Sequence, residues 1–377
     1  MQIEWALIVF AVAFSVAYIM TPVSKRFAVR LGAIDYPGNR RVNTKPVPRC
    51  GGIALYLGLC AGAFTVILGV HMFGWHLSNL YVMAEVDYGL LFVGVSAMFA
   101  VGLVDDIVQL KSLSKFVGQI MAATVIAYSG VTIGSVRLLG SATYLTFGWA
   151  DIPITVLYLV VFVNIVNLVD GLDGLAAGIV AIVSTSLLYM VVVRGSFTTA
   201  LIIVSLIAVC LAFLRFNFFP ASIFMGDSGS HLLGVMLGVI SIIGVARTQG
   251  VVSMIVPLVI AGVPVLDTIS AIIRRLRAGQ PVGKGDANHI HHKLLKSGLG
   301  QRRTVAVFWS CTAGLAVAGV AIESFSGAAR FAVSLCLALV VFLIVWKFGL
   351  FKPVMKHHFD NSGKSGARVP SDEGEGL

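Results

Sequence analysis

Charge is what this 377-residue sequence has least of: 12% of its residues are Asp, Glu, Lys or Arg, against 58% that are hydrophobic. Mean hydropathy is +0.95. A soluble domain carries roughly a quarter charged residues, so an ordinary water-soluble fold is excluded. Cysteine pairs are missing too. Cys50, Cys60, Cys210, Cys311 and Cys336 show no C-x-x-C spacing, and four of them fall in apolar runs, so neither disulfides nor a zinc site is expected. No G-x-x-x-x-G-K-[ST] loop is present, which removes the P-loop enzymes. No basic stretch precedes the first apolar run. Basic residues follow it instead, as in an uncleaved anchor rather than a signal peptide. With no soluble domain to hold nucleic acid, the net charge of +10 is not read as a nucleic-acid signal.

Long apolar runs dominate. They lie at 3–20, 51–70, 88–104, 116–134, 152–168, 175–193, 197–214, 229–245, 250–273, 304–322 and 329–346. A membrane-crossing helix needs about 20 such residues. The runs are continuous rather than alternating, which excludes a β-barrel. The expected fold is all-α: a polytopic transmembrane helical bundle of about 11 spans. Residues 1–347 form the membrane domain, and 348–377 form a tail whose Gly, Ser and charge predict disorder. When loops alternate from an outside N-terminus, 23 of the 27 basic residues fall inside; Arg137, Arg194, Arg247 and Arg330 stay outside. The positive-inside rule therefore predicts a periplasmic N-terminus and a cytoplasmic C-terminus. Basic inner loops also attract anionic lipid headgroups and anionic substrates.

The few polar groups interrupting these runs fall on that inner side. Asp105-Asp106 closes the third run; adjacent carboxylates project about 100° apart on a helix. The pair is thus expected to do two jobs rather than chelate one ion, with a solvated helix end as the plainer alternative. Asn164, Asn167, Asp170 and Asp173 recur at three-residue spacing, so they line a hydrated cavity or form an interhelical hydrogen-bond ladder. Gly226-Asp227-Ser228-Gly229 opens the eighth run. Unpaired amides at a helix start suit an anion, and Asp227 suits a hard cation bridging to phosphate, unless Asp227 or Ser228 merely caps the helix. His289, His291 and His292 sit in a loop with Lys284, Lys293 and Lys296. A clamp on pyrophosphate fits this cluster better than zinc. Lys45-Pro-Val-Pro48-Arg49-Cys50-Gly51-Gly52 ends the first basic loop and by itself reads as loop punctuation.

Taken in order, these motifs resemble the polyprenyl-phosphate N-acetylhexosamine-1-phosphate transferases over residues 20–305. The resemblance implies Mg²⁺-dependent transfer of a sugar 1-phosphate from a UDP-sugar to undecaprenyl phosphate, with release of UMP; Mn²⁺ is an expected substitute. It implies that Asp105 and Asp106 are the catalytic pair and that Asp227 is the metal ligand. Lys45, Asn167, Asp170, Asn217 and Phe224 fall on the uridine side, Asp173 is a further substrate-binding residue, and His289, His291 and His292 fall at the pyrophosphate. The runs Pro-Arg-Cys-Gly-Gly and His-Ile-His-His look like the initiators of surface polysaccharides, which favours UDP-GlcNAc as donor. UDP-FucNAc, UDP-QuiNAc and phospho-MurNAc-pentapeptide are the alternatives. A homodimer in the bacterial inner membrane is what the resemblance suggests. An ion-coupled transporter would want its carboxylates near mid-span and its halves repeated, and neither feature is seen. A non-catalytic lipid-binding scaffold leaves the aspartates unexplained.

Overall fold

The structure, a computed structural model, describes residues 3–37, 43, 45–75, 86–137, 144–246 and 298–322, with scattered positions from 325 to 343. Its helices are α1 (Ile3–Arg30), α2 (Gly52–Phe73), α3 (Tyr88–Val108), α4 (Ser112–Tyr128), α5 (Asp151–Val169), α6 (Leu175–Val193), α7 (Phe197–Asn217), α8 (Gly226–Ser241) and α9 (Gln301–Ile322). A π-helical turn, Ile242–Ala246, continues α8. Among the described residues, eight helices are long and apolar enough to cross a membrane. The ninth, α4, has 17 residues, about 25 Å of helix. The run at 250–273 lies outside the described residues, as does most of that at 329–346, as well as the tail.

The polytopic helical bundle is therefore present. One refinement concerns the loops, where two short antiparallel ribbons form that an all-α reading omits. They are β1 (Ile34–Asp35) with β2 (Val47–Pro48), and β3 (Ser135–Arg137) with β4 (Tyr144–Thr146).

Small residues set the packing. Helices in lipid gain little from hydrophobic exclusion, so they associate where backbones can approach closely. On α2, a side chain at Gly58 would collide with Ala17 of α1 and Val209 of α7. On α8, Gly234 and Gly238 lie against Val163 and Leu159 of α5. Helix α8 is the most buried span among those described and touches α2, α3, α5, α6 and α7. A buried pair, Tyr158 hydroxyl and Ser241 Oγ at 2.9 Å, ties α5 to its far end.

Candidate active site

The site gathers where α3, α5 and α7 end and α2, α4, α6 and α8 begin, all at one end of the bundle. Its centre is the first turn of α8. A helix start leaves backbone N–H groups without partners, and Met225, the residue before α8, offers no capping side chain. Asp106 of α3 supplies the cap. Its Oδ1 accepts from the Asp227 N–H at 2.8 Å. Its Oδ2 accepts from the Ser228 N–H at 3.1 Å and from the Ser228 hydroxyl at 2.6 Å. The carboxylate is 1% exposed, so three donors replace the water it gives up. The plainer alternative, capping by Asp227 or Ser228, is not what is seen: neither caps, and Ser228 donates to the real cap.

Glycines make this approach feasible. A Cβ on Gly226, whose φ is +71°, would strike the Asp106 carboxylate, and one on Gly102 of α3 would strike the Asp227 backbone. A Cβ on Gly52 would strike Ser228 and Gly229. The chain entering α2 is strapped to the chain entering α8: the Phe224 N–H donates to Pro48 O at 2.9 Å, Gly51 N–H to Phe224 O at 3.0 Å and Gly52 N–H to Met225 O at 2.9 Å. Within this strap the Cys50 thiol is pushed up to about 12, by burial first and by the Asp106 charge second, so it stays protonated and unreactive at neutral pH.

Asp105 turns away from its neighbour, as adjacent helical positions must. Its Oδ1 accepts from the Leu110 N–H at 2.8 Å, and its Oδ2 lies 3.6 Å from Lys115 Nζ. Lys115, one turn into α4, also pairs with Asp227 Oδ2. Two carboxylates from different helices thus converge on one positive charge. That arrangement fits a divalent cation, because Mg²⁺ takes one or two protein carboxylates and fills its remaining positions with water and phosphate oxygens. No cluster of three or more His, Cys, Asp or Glu suited to a metal occurs among the described residues.

Asn167 of α5 holds the other Asp227 oxygen, Oδ1, with Nδ2 at 2.9 Å, and donates to Ser230 Oγ at 2.9 Å. Asn164, one turn back, faces α4 and donates to Gln119 Oε1 at 2.9 Å. The hydrogen-bond ladder is therefore realised in part: Asn164 and Asn167 form interhelical bonds, while Asp170 follows the last turn of α5. Burial lifts the Asp170 carboxyl well above the usual carboxylate range, and the charges of Asp106 and Asp173 add to this. Burial also raises Asp173, partly offset because its Oδ2 accepts from the Ala221 N–H at 2.9 Å. Asn217 is buried and fully engaged, accepting from the Gly174 N–H and donating to Ile223 O, each at 3.0 Å. Asp173, Asn217 and Arg302, which donates to Phe219 O at 3.1 Å, together brace the loop between α7 and α8. Phe224 reaches the site through this braced loop. Lys45 is exposed, just before β2. His289, His291 and His292 lie outside the described residues.

Three contributors escaped the sequence reading. Lys115 was counted only as a topological charge. Gln119 and His231 were passed over inside apolar runs, yet both are buried, with Gln119 Nε2 donating to His231 Nε2 at 3.1 Å. Because Asn164 fixes the Gln119 amide, that donation leaves the imidazole proton on Nδ1. His231 Nε2 is 3.9 Å from Asp227 Oδ2. The available signal was an ionisable residue at bilayer depth, one turn beyond Asp227 on the same helix face.

A polytopic bundle with a carboxylate cluster at one end of its spans defines a class, multi-pass membrane proteins with a polar site at the helix ends, and sequence comparison narrows it. The pattern described as Glycosyl transferase family 4 matches residues 88–245, the stretch carrying Asp105, Lys115, Asn167 and Asp227. The chain is 33% identical over 302 residues to the probable undecaprenyl-phosphate N-acetylglucosaminyl 1-phosphate transferase of Bacillus subtilis, covering 80% of each chain. It is 34% identical over 351 residues to the decaprenyl-phosphate N-acetylglucosaminephosphotransferase of Mycolicibacterium smegmatis, covering 88% of this chain and 85% of the relative. Similarity to the phospho-N-acetylmuramoyl-pentapeptide-transferase of Desulforudis audaxviator is 29% over 338 residues, covering 84% and 97%. The chain belongs to glycosyl transferase family 4.

Proposed function

We propose that this chain transfers N-acetylglucosamine 1-phosphate from UDP-GlcNAc to undecaprenyl phosphate, giving undecaprenyl-diphospho-GlcNAc and UMP. The observation that carries the reading is the convergence of Asp105, Lys115 and Asp227, from three helices, at one end of a membrane bundle. A water-soluble donor and a lipid acceptor can meet there while the polyprenyl tail stays in the bilayer. The GlcNAc-1-phosphate transferase relatives, at 33% and 34% identity, support this donor over phospho-MurNAc-pentapeptide, whose transferase matches at 29%.

In this reading Asp227 and Asp105 hold Mg²⁺, with Mn²⁺ as a substitute. The ion supplies charge neutralisation between two phosphate anions. Lys115 adds positive charge between the same carboxylates, Asn167 fixes the rotamer of Asp227, and Asp106 fixes the backbone on which Asp227 stands. Asp170 and Phe224 border the donor side. The site faces the cytoplasm of the bacterial inner membrane, in keeping with the 23-to-4 partition of basic residues.

A donor panel with purified protein and undecaprenyl phosphate tests the proposal. UMP release is expected with UDP-GlcNAc and not with UDP-MurNAc-pentapeptide. Release only with UDP-FucNAc or UDP-QuiNAc would move the sugar assignment, and release with none would sink the activity.

A further inference from the structure

One charged group at the site has no task in the account above. Arg49 sits in the strap between β2 and α2, pinned on both sides. Its own N–H donates to Ala33 O at 2.9 Å, and Pro48 and Gly51 bond to Phe224. A parallel bridge aligns Arg49 with Phe224 itself. The residue is half-buried, and its charge is felt at Asp106, Lys115 and Cys50, which places it within electrostatic reach of the cluster.

Its Nε–H is buried and has no acceptor among the described residues, and no carboxylate among them forms an ion pair with the guanidinium. The bland explanation is that Arg49 neutralises Asp106. The α8 amides and the Ser228 hydroxyl already give that carboxylate three hydrogen bonds, and among the described residues it forms no ion pair with Arg49. A buried donor left without an acceptor is costly. A guanidinium carried on a pinned backbone presents a planar fork that matches phosphate oxygens.

We propose that Arg49 is a phosphate-binding residue of this cleft, holding a phosphate group of one of the two substrates. The proposal rests on the transfer reading. The donor diphosphate and the lipid monophosphate offer the same chemistry, and kinetics separate them.

The experiment uses the full chain in detergent with Arg49→Gln and Arg49→Lys. KM is measured for UDP-GlcNAc and for undecaprenyl phosphate separately, and UMP binding is measured by calorimetry. Arg49→Gln is expected to raise one KM by about tenfold or more, with a melting temperature close to that of wild type. A rise for UDP-GlcNAc together with weaker UMP binding places the donor on Arg49; a rise for undecaprenyl phosphate alone places the acceptor there. Arg49→Lys keeps the charge but not the fork, so it is expected to fall between the two, and it carries the test if Arg49→Gln does not fold. Unchanged KM for both substrates overturns the proposal, and so does a lower melting temperature without a KM change, the mark of a structural counter-charge. If wild type does not turn over UDP-GlcNAc, the transfer reading fails on its own account. Equal affinity of wild type and variant for UMP and for undecaprenyl phosphate would then overturn the role of Arg49 as well.

Discussion

Asp106 accepts a hydrogen bond from the backbone N–H of Asp227 at 2.8 Å, joining two carboxylate residues 121 positions apart in the chain. The contact divides the labour of the adjacent pair on α3. Asp106 looks inward and builds the start of α8. Asp105 looks towards Lys115 and the cleft. A nearly inaccessible carboxylate holding three donors is badly placed to act on a substrate, and its expected influence on chemistry is through the position of Asp227.

The first prediction separates the two. Asp106→Ala removes the cap and strands two backbone donors and a hydroxyl. A destabilisation of roughly 2–4 kcal/mol is expected, along with loss of activity. Asp105→Asn should lose orders of magnitude in turnover while leaving the detergent melting temperature within a degree or two of wild type, about the scale of a surface change. Equal melting losses in both variants would refute this division.

The second concerns the metal. Asp227→Asn keeps the side-chain shape and the Asp106 cap, which uses only the backbone of residue 227, but halves the carboxylate pair facing Lys115. Transfer should be abolished in a folded protein. Retention of more than about a tenth of wild-type activity at saturating Mg²⁺, a loss of only ~1.4 kcal/mol, would show that Asp227 is not the metal ligand.

A third prediction follows from the raised carboxyl of Asp170. Its folded-state value lies above the ordinary 3.8, so the native protein binds this proton more tightly than the unfolded chain does. Stability from this group is complete below 3.8 and is lost as pH climbs through the folded value. Asp170→Asn, which cannot ionise, should therefore gain stability relative to wild type at pH 8 and not at pH 4. Melting curves at the two pH values decide it; a gain larger at pH 4 would contradict the sign.

Orientation provides a fourth. A reporter fused after Leu377 and cysteine labels placed in the 274–303 loop should both report the cytoplasm. Labelling of that loop from outside intact cells would move every proposed role to the wrong face of the membrane.

The apolar runs were legible because lipid solvent imposes a simple requirement on composition, and α2, α3, α5, α6 and α7 begin or end within a few residues of them. Helix α1 extends to Arg30, ten residues past its run, because the polar turn from Ser24 keeps its helical bonding and its basic heads can reach for the interface. The residues Asp105, Asp106, Asn167, Asp170 and Asp227 were legible as exceptions to greasiness. Their partners were not. The pairing of residue 49 with residue 224, the capping of α8 by α3, and the Gln119–His231 contact between α4 and α8 are set by which helices neighbour one another, and a single sequence does not encode that locally. Asn217 was legible as a uridine-side residue and Asp173 as a substrate-binding one; their hydrogen bonds, which brace the loop between α7 and α8, were not.

The last prediction concerns the order of chemistry, which the division between Asp105 and Asp106 sharpens. Either the lipid phosphate attacks the donor β-phosphorus directly, or an aspartate attacks first and forms a sugar-phosphoryl enzyme with release of UMP. Asp106 is 1% exposed and holds three hydrogen bonds, which places it poorly for that attack. Asp105 is the better placed of the two, and its oxygens are engaged by the Leu110 N–H and Lys115. A phosphate monoester is already largely ionised near neutral pH and needs shielding between the two anions more than it needs a covalent relay. Direct displacement through a ternary complex is therefore expected. The assay is isotope exchange: radiolabelled UMP with unlabelled UDP-GlcNAc, in enzyme stripped of polyprenyl phosphate. Direct displacement lets no label enter the UDP-sugar, whereas a covalent enzyme requires it. Exchange that persists in wild type and disappears in Asp105→Asn would reverse the conclusion and identify Asp105 as the nucleophile; exchange lost in Asp106→Asn but kept in Asp105→Asn would contradict the buried cap itself.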